Sequence, residues 1–464
     1  MIKNSLAILT IAVSFSLMSA QDISTIRNTV DVYSNNFSNG TAKYQGMAGS
    51  MGALGGEISS LNSNPAGIGV FIASDINGTL NINNSKNTTN FNGKSLNYKI
   101  NNTDLGEIGG VATFQIEGNT PWKFINIAVD YSTQSLEDYS ETAGNKNISF
   151  SIPSAATTLD FDGHAYNRYG NLSNSSFAVG ANYNNNLYLG AALHFKTANI
   201  DQYDTAAFTD SALNTTEIFN KQYTPFSEQS NGFAASLGVI GKLNNQIRLG
   251  ASLETPTWWQ ITRIYNSYDN PTDDTYTEDR KLSSPMKATV SAAFVASKDF
   301  AINVDYTLGI TKPKYKVYGG AETELNNFFS NSYKNLSEIK MGAEYRLMGL
   351  RLRAGYGLAN SPFDSQSITA YRNDGSVGNS SFSNLILGKR TTIAGGIGYD
   401  FGSIYLDASY QNVQSTYNNP FLRGDNAVNS NYFSDNFVLP SSNYAVNEVK
   451  NNQNNISLTL GYKF

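Results

Sequence analysis

The last nine residues, "ISLTLGYKF", constrain the chain more than any other stretch. Ile456, Leu458, Leu460, Tyr462 and Phe464 fall on one face of an extended strand, and Ser457, Thr459, Gly461 and Lys463 fall on the other. Segments of this kind recur at 75–83, 108–116, 123–131, 176–183, 187–196, 232–243, 246–254, 287–295, 299–308, 337–347, 349–358, 390–401 and 403–411. With the last one they make fourteen strands. An even number of alternating strands about ten residues long is the pattern of a bacterial outer-membrane barrel.

The connections sharpen that reading. Six are very short, such as 184–186, 244–245, Met348 and Gly402, and seven are long and polar, such as 132–175, 197–231 and 412–454. Short and long alternate along the chain, as brief periplasmic turns and long external loops do in an up-and-down barrel. The apolar face carries Leu189, Leu249, Leu352 and Leu406, and the opposite face carries His194, Lys340, Glu344 and Asp407. A bare charge facing lipid near mid-membrane costs about 2–4 kcal/mol, so the charged face is expected to line the lumen. Tyr131, Tyr306, Tyr356 and Tyr410 close the outer strand ends, and Tyr183, Tyr345, Tyr399 and Tyr462 the inner ones, as two aromatic girdles.

Composition narrows the function. The net charge of -5 gives no basic footprint for nucleic acid. The chain has 28 Tyr, 25 Phe and 40% hydrophobic residues, too many for a disordered protein. It has no Cys, so disulfides, thiolate zinc sites and a lipidated N-terminal Cys are excluded. Only His164 and His194 offer imidazole, and no Ser–His or paired-carboxylate arrangement stands out, so no enzyme activity, metal or cofactor is expected. Residues 1–20 read as a secretory signal, with Lys3, an apolar run from Leu6 to Met18, and cleavage expected after Ala20.

A barrel of fourteen strands is too wide for its own side chains to fill. Residues 21–74 form the one sizeable segment outside the strands and loops, and they mix Gly and Ala with Met47, Met51, Leu54, Ile58, Leu61 and Ile68. They are expected to form an internal hatch, with the barrel proper occupying 75–464. The stretch "SLNSNPAGIGVF" is then the end of the hatch, where the chain passes into the first strand.

"GALGGEISSLNSNPAGIGVF" before a barrel strand, with fourteen strands ending in "LGYKF", resembles the FadL/TodX-like long-chain fatty-acid transport porins. It is most similar to the Bacteroidetes-type branch, whose members are often labelled hemin receptors. The resemblance implies a monomeric barrel of the bacterial outer membrane, plugged by its N-terminus, that takes up hydrophobic small molecules passively. It also implies recognition of the final strand, ending at Phe464, by the barrel-assembly machinery. The family's hatch motif maps onto Asn64, Pro65 and Ala66, with Gly67 following, as the ligand-binding or gating element. Capture between the third and fourth external loops, 197–231 and 255–285, maps onto Phe208, Phe219, Phe226, Trp258 and Trp259. Lateral exit in the family uses a strand kink, for which Gly109 and Gly110 are the candidates. Arg248, Arg346, Arg351 and Arg353 are lumen charges able to pair with a ligand carboxylate. Other readings of the same features are a surface adhesin or structural barrel, a haem-binding protein and a general porin.

Overall fold

The computed structural model describes residues 23–35, 39–266, 275–317, 320–423, 431–439 and 441–464. The signal segment expected over 1–20 lies outside the described residues. All fourteen expected strands are present: β1 Asp75–Phe91, β2 Lys94–Gln115, β3 Trp122–Ser135, β4 Thr157–Tyr183, β5 Leu187–Asp210, β6 Phe226–Lys242, β7 Ile247–Glu254, β8 Lys287–Val295, β9 Phe300–Gly309, β10 Ser337–Leu347, β11 Leu350–Ala359, β12 Arg390–Asp400, β13 Ile404–Phe421 and β14 Ala445–Lys463. Each pairs antiparallel with its neighbours, and β14 pairs with β1 from Lys463↔Asp75 to Glu448↔Asn90, which closes the barrel.

The two faces separate as alternation demands. Leu189, Leu249, Leu352, Leu406 and Leu460 are exposed on the outside, with the tyrosines of both girdles. Asn126, Asn303, Glu107, Asp305 and Ser457 are buried inside. With charges inward and an apolar band outward, the chain is an outer-membrane barrel.

The external side departs from the loops expected. β1 and β2 continue as a hairpin to the two-residue turn Asn92-Gly93, both at positive φ, where a primed hairpin turn fits. β4 and β5 run 27 and 24 residues, well past the ten that cross the membrane. Much of what reads as polar loop is therefore strand projecting beyond the bilayer. Further elements cap this end: the paired strands Trp258–Asn266 and Thr275–Ser283, the helix Gly320–Ser332, and the hairpin Gln366–Tyr371 with Val377–Phe382.

The N-terminal segment lies in the bore. Helix α1, Ile23–Asp31, sits beneath the external elements, and the short helix α2, Ala42–Gly46, packs on the inner faces of β11 to β14. Two tight turns follow, Ile58–Asn62 and Pro65–Val70, the latter against β4, β5 and β6. Ser74 then pairs with Phe464 at the periplasmic rim, and the chain enters β1.

Candidate functional site

The sequence Asn64-Pro65-Ala66-Gly67 makes a capped turn wedged into the wall. Asn64 Oδ1 accepts from Ala66 N at 3.1 Å, and Pro65 takes the first turn position, where its missing N–H is no loss. The amide of Asn64 donates to Gly52 O at 2.8 Å inside the plug and to Val239 O of β6 at 3.1 Å. All four residues are buried. Gly180, Gly190 and Gly238 stand side by side on β4, β5 and β6, and they let this turn approach. A Cβ at Gly190 would lie 2.2 Å from Pro65 O, and one at Gly180 would lie 2.3 Å from Gly69 N. The opposite wall repeats the device, since Gly342 and Gly355 face each other across β10 and β11 where Met47 and Ala48 press on them. These wall glycines were missed in the sequence. Their signal was small residues at matching inward positions of successive strands.

Lumen side chains then satisfy the plug's backbone. Asp305 accepts from Met51 N at 3.0 Å and Gly52 N at 3.2 Å, Asn303 from Ala53 N at 3.1 Å, and Thr459 from Ala42 N at 2.7 Å. Asn126 donates to Ile68 O at 2.7 Å and Ser252 to Ser63 O at 2.6 Å. A segment with so little regular structure can be buried only with such partners. Beside the plug, the β1–β2 ladder has an extra residue: Thr79 pairs with Glu107 and Leu80 with Leu105, leaving Gly106 as a bulge. Beyond Glu107↔Ser132 the β2–β3 ladder stops, and the plug's Asn39 donates to the carbonyls of both Gly106 and Thr133. The irregularity expected at Gly109 and Gly110 is thus at Gly106; those two residues pair in regular register with Asp130 and Val129.

Above the plug lies an apolar chamber filled by α1. Ile23, Ile26 and Val30 share one helix face and pack with Leu172, Ile200, Trp259, Leu282, Phe329 and Phe363, drawn from wall and external elements. The polar face is tied down separately. Arg168 donates to Asp31 at 2.6 Å and to Asn28 Oδ1 at 3.0 Å, Asn28 to Gln202 at 3.0 Å, and Tyr33 just past the helix to Glu228 at 3.0 Å. Burial alone would raise the Asp31 carboxyl, but the Arg168 guanidinium more than offsets it and holds the group below the ordinary carboxylate range. A nine-residue helix does not persist alone in water, so tertiary contacts keep α1 formed.

The other expected residues are distributed, not gathered in one groove. Trp258 is exposed on the outer face, stacked on Phe233, while Trp259 is buried and donates to Tyr33 O at 3.3 Å. Phe208 and Phe219 lie in a second buried cluster with Phe161, Phe421 and Leu439. Phe226 is buried beneath the Arg263 guanidinium, 3.9 Å from its ring centre. Of the arginines, Arg248 donates to Leu54 O of the plug at 3.1 Å. Arg353 bridges Glu344 and Asp407, Arg346 pairs with Glu344, and Arg351 with Asp400.

These last three arginines border a vestibule of about 470 Å³ at the periplasmic end, whose other side is the plug's Lys43, Ile58, Phe71 and Ile72. At mid-lumen, beside Tyr44, Leu61, Asp305 and Lys340, the space is about 30 Å³, enough for one water.

No protein-family model and no curated protein matches the chain. Solved structures do match. A FadL homologue of Pseudomonas aeruginosa aligns at TM-score 0.60 and 12% identity, covering 93% of this chain and 100% of that one. The chain has a FadL-type fold. The toluene transporter TodX of P. putida aligns at 0.54 and 13% identity, over 92% of this chain and 99% of that one. The toluene transporter TbuX of Ralstonia pickettii aligns at 0.51 and 13%, over 92% and 99%. The FadL-type architecture thus spans both the barrel and the plugged bore of this chain.

Proposed function

We propose that the protein is a passive outer-membrane channel for apolar small molecules, fatty-acid-like or monoaromatic, and that Asn64-Pro65-Ala66-Gly67 is part of the hatch that gates it. The observation that carries this reading is the chamber under the external elements: its apolar lining is occupied by a short helix, while the mid-lumen space beside Tyr44 and Lys340 has room for about one water. An apolar solute entering from outside gains the same burial that α1 gains, so it competes with the helix for the chamber. About 25 cal/mol per Å² of apolar surface drives either occupant. The likeness to a FadL homologue and to two toluene transporters supports this solute class. From the chamber, the bulge at Gly106 is the weakest point of the wall, where plug and strands share backbone partners; displacement of Asn39 would open a lateral exit.

The test is quenching of tryptophan fluorescence by a brominated fatty acid and by toluene, with the purified full chain. Saturable quenching that disappears in Trp259→Phe and persists in Trp258→Phe is expected. Quenching carried wholly by Trp258 would place the solute on the lipid-facing surface and overturn the chamber.

A further inference from the structure

The outer face above the girdle carries a polar groove. Along β11, β12 and β13 and just past the ends of the first two, the outward positions climb from Tyr356, Ile393 and Tyr410 to Asn360, Thr391 and Gln414, and then to Lys389 and Thr416. At about 3.3 Å per residue this places the groove roughly 7–20 Å beyond the rings along the strands, beside lipid headgroups and not acyl chains. Lys334 and Asn384 border it from the external connections, and the open groove offers about 650 Å³.

Its chemistry has one sign. Two lysines line the groove, the remaining residues supply hydroxyls and amides, and no carboxylate is among them. Lys389 makes no ion pair among the described residues. Lys334 meets Asp364 at 3.2 Å, but both side chains are about half exposed, so the pair is weak. The rim is held in place, since Asn384 donates to Thr416 O at 3.1 Å. The same belt continues around the barrel as an outward amide ladder, with Gln414 donating to Asn412 at 2.8 Å and Asn412 to Asn452 at 2.6 Å. Farther round, Lys86 of β1 stands directly opposite Lys99 of β2, and neither makes an ion pair among the described residues. Like charges facing across a strand pair repel. An anion bound along this flank would offset that repulsion and give Lys389 its partner.

We propose that the groove seats the phosphate-bearing sugar headgroup of an outer-leaflet glycolipid, with Lys389 and Lys334 on the phosphate and the amides and hydroxyls on the sugar. Basic recesses at a membrane surface recognise anionic headgroups in this way.

Native mass spectrometry of the full chain in neutral detergent, titrated with diphosphorylated lipid A, dephosphorylated lipid A or inorganic phosphate, tests the assignment. Diphosphorylated lipid A is expected to bind, and at least about tenfold less tightly to the Lys334→Gln/Lys389→Gln variant, the loss typical of a charge-assisted contact. Heat-modifiable migration should show both proteins equally folded. Equal binding by the double variant would overturn the site. So would equal binding of the dephosphorylated lipid, a comparison made on the unaltered protein. Inorganic phosphate binding as tightly as the lipid would make this a free-anion site and overturn the glycolipid.

Discussion

Trp258 and Trp259 are consecutive, and a strand turns them to opposite solvents. The first stacks on Phe233 at the lipid face and the second holds Tyr33 at the end of α1, edge to face with ring centres 5.0 Å apart. Trp259→Ala should cost about 3–5 kcal/mol at that contact, since it removes a buried aromatic and its indole donor. Trp258→Ala removes a half-exposed interfacial ring and should leave α1 in place. The chain's lack of cysteine allows a clean readout. Val30→Cys, buried on the helix, should label slowly with an external thiol reagent, much faster beside Trp259→Ala, and unchanged beside Trp258→Ala. Equal acceleration by both would mean that Trp259 does not anchor the helix. The sequence did contain this distinction, because period 2 alone separates the two rings. It could not show that the inward one meets Tyr33, 226 positions away.

At the scale of elements, the Pro65–Val70 turn depends on the glycine row more than on its own residues. Gly190 is the central member, with Gly180 and Gly238 as its register partners. Gly190→Val leaves a strand residue with better strand propensity, so the barrel should still assemble. Its side chain, however, occupies the space of Pro65 O and must expel the turn. The expected result is a folded, heat-modifiable protein whose plug is cut by added protease, where the parent resists. A resistant variant would show that the wall yields and the turn does not depend on the glycine. The strands themselves were legible because lipid on one side and a polar bore on the other force alternation. Legibility ended where the membrane ends. Asn84 to Asn90 are polar on both faces, so a projecting hairpin looked like a loop. The apolar chamber was hidden for another reason: Leu172, Leu282, Phe329 and Phe363 are scattered over four connections that only closure of the barrel brings together.

The whole molecule combines a wide closed cylinder with an N-terminal segment packed against its inner wall. The cylinder owes nothing to the plug for its closure, because the β1–β14 ladder runs from Asp75 to Asn90 through strand pairing alone. The plug, in turn, is held by side chains that would otherwise face an empty polar bore, among them Asp305, Asn303, Asn126 and Ser252. Removing it therefore uncovers a hydrated, charged lumen without removing any strand. In planar bilayers the intact chain should pass little ionic current, whereas deletion of 23–71 should give a stable, ohmic pore. The buried ion pairs Arg353–Glu344 and Arg353–Asp407 would then meet water, so that current should be sensitive to Arg353→Gln. A general porin would conduct equally with and without the segment. An equally silent deletion variant would mean that the external elements, not the plug, close the barrel. Small-molecule flux separates the proposed channel from a leak: toluene entry into reconstituted vesicles should exceed that of a sugar of similar size in the intact protein, and the deletion should abolish this preference by admitting both.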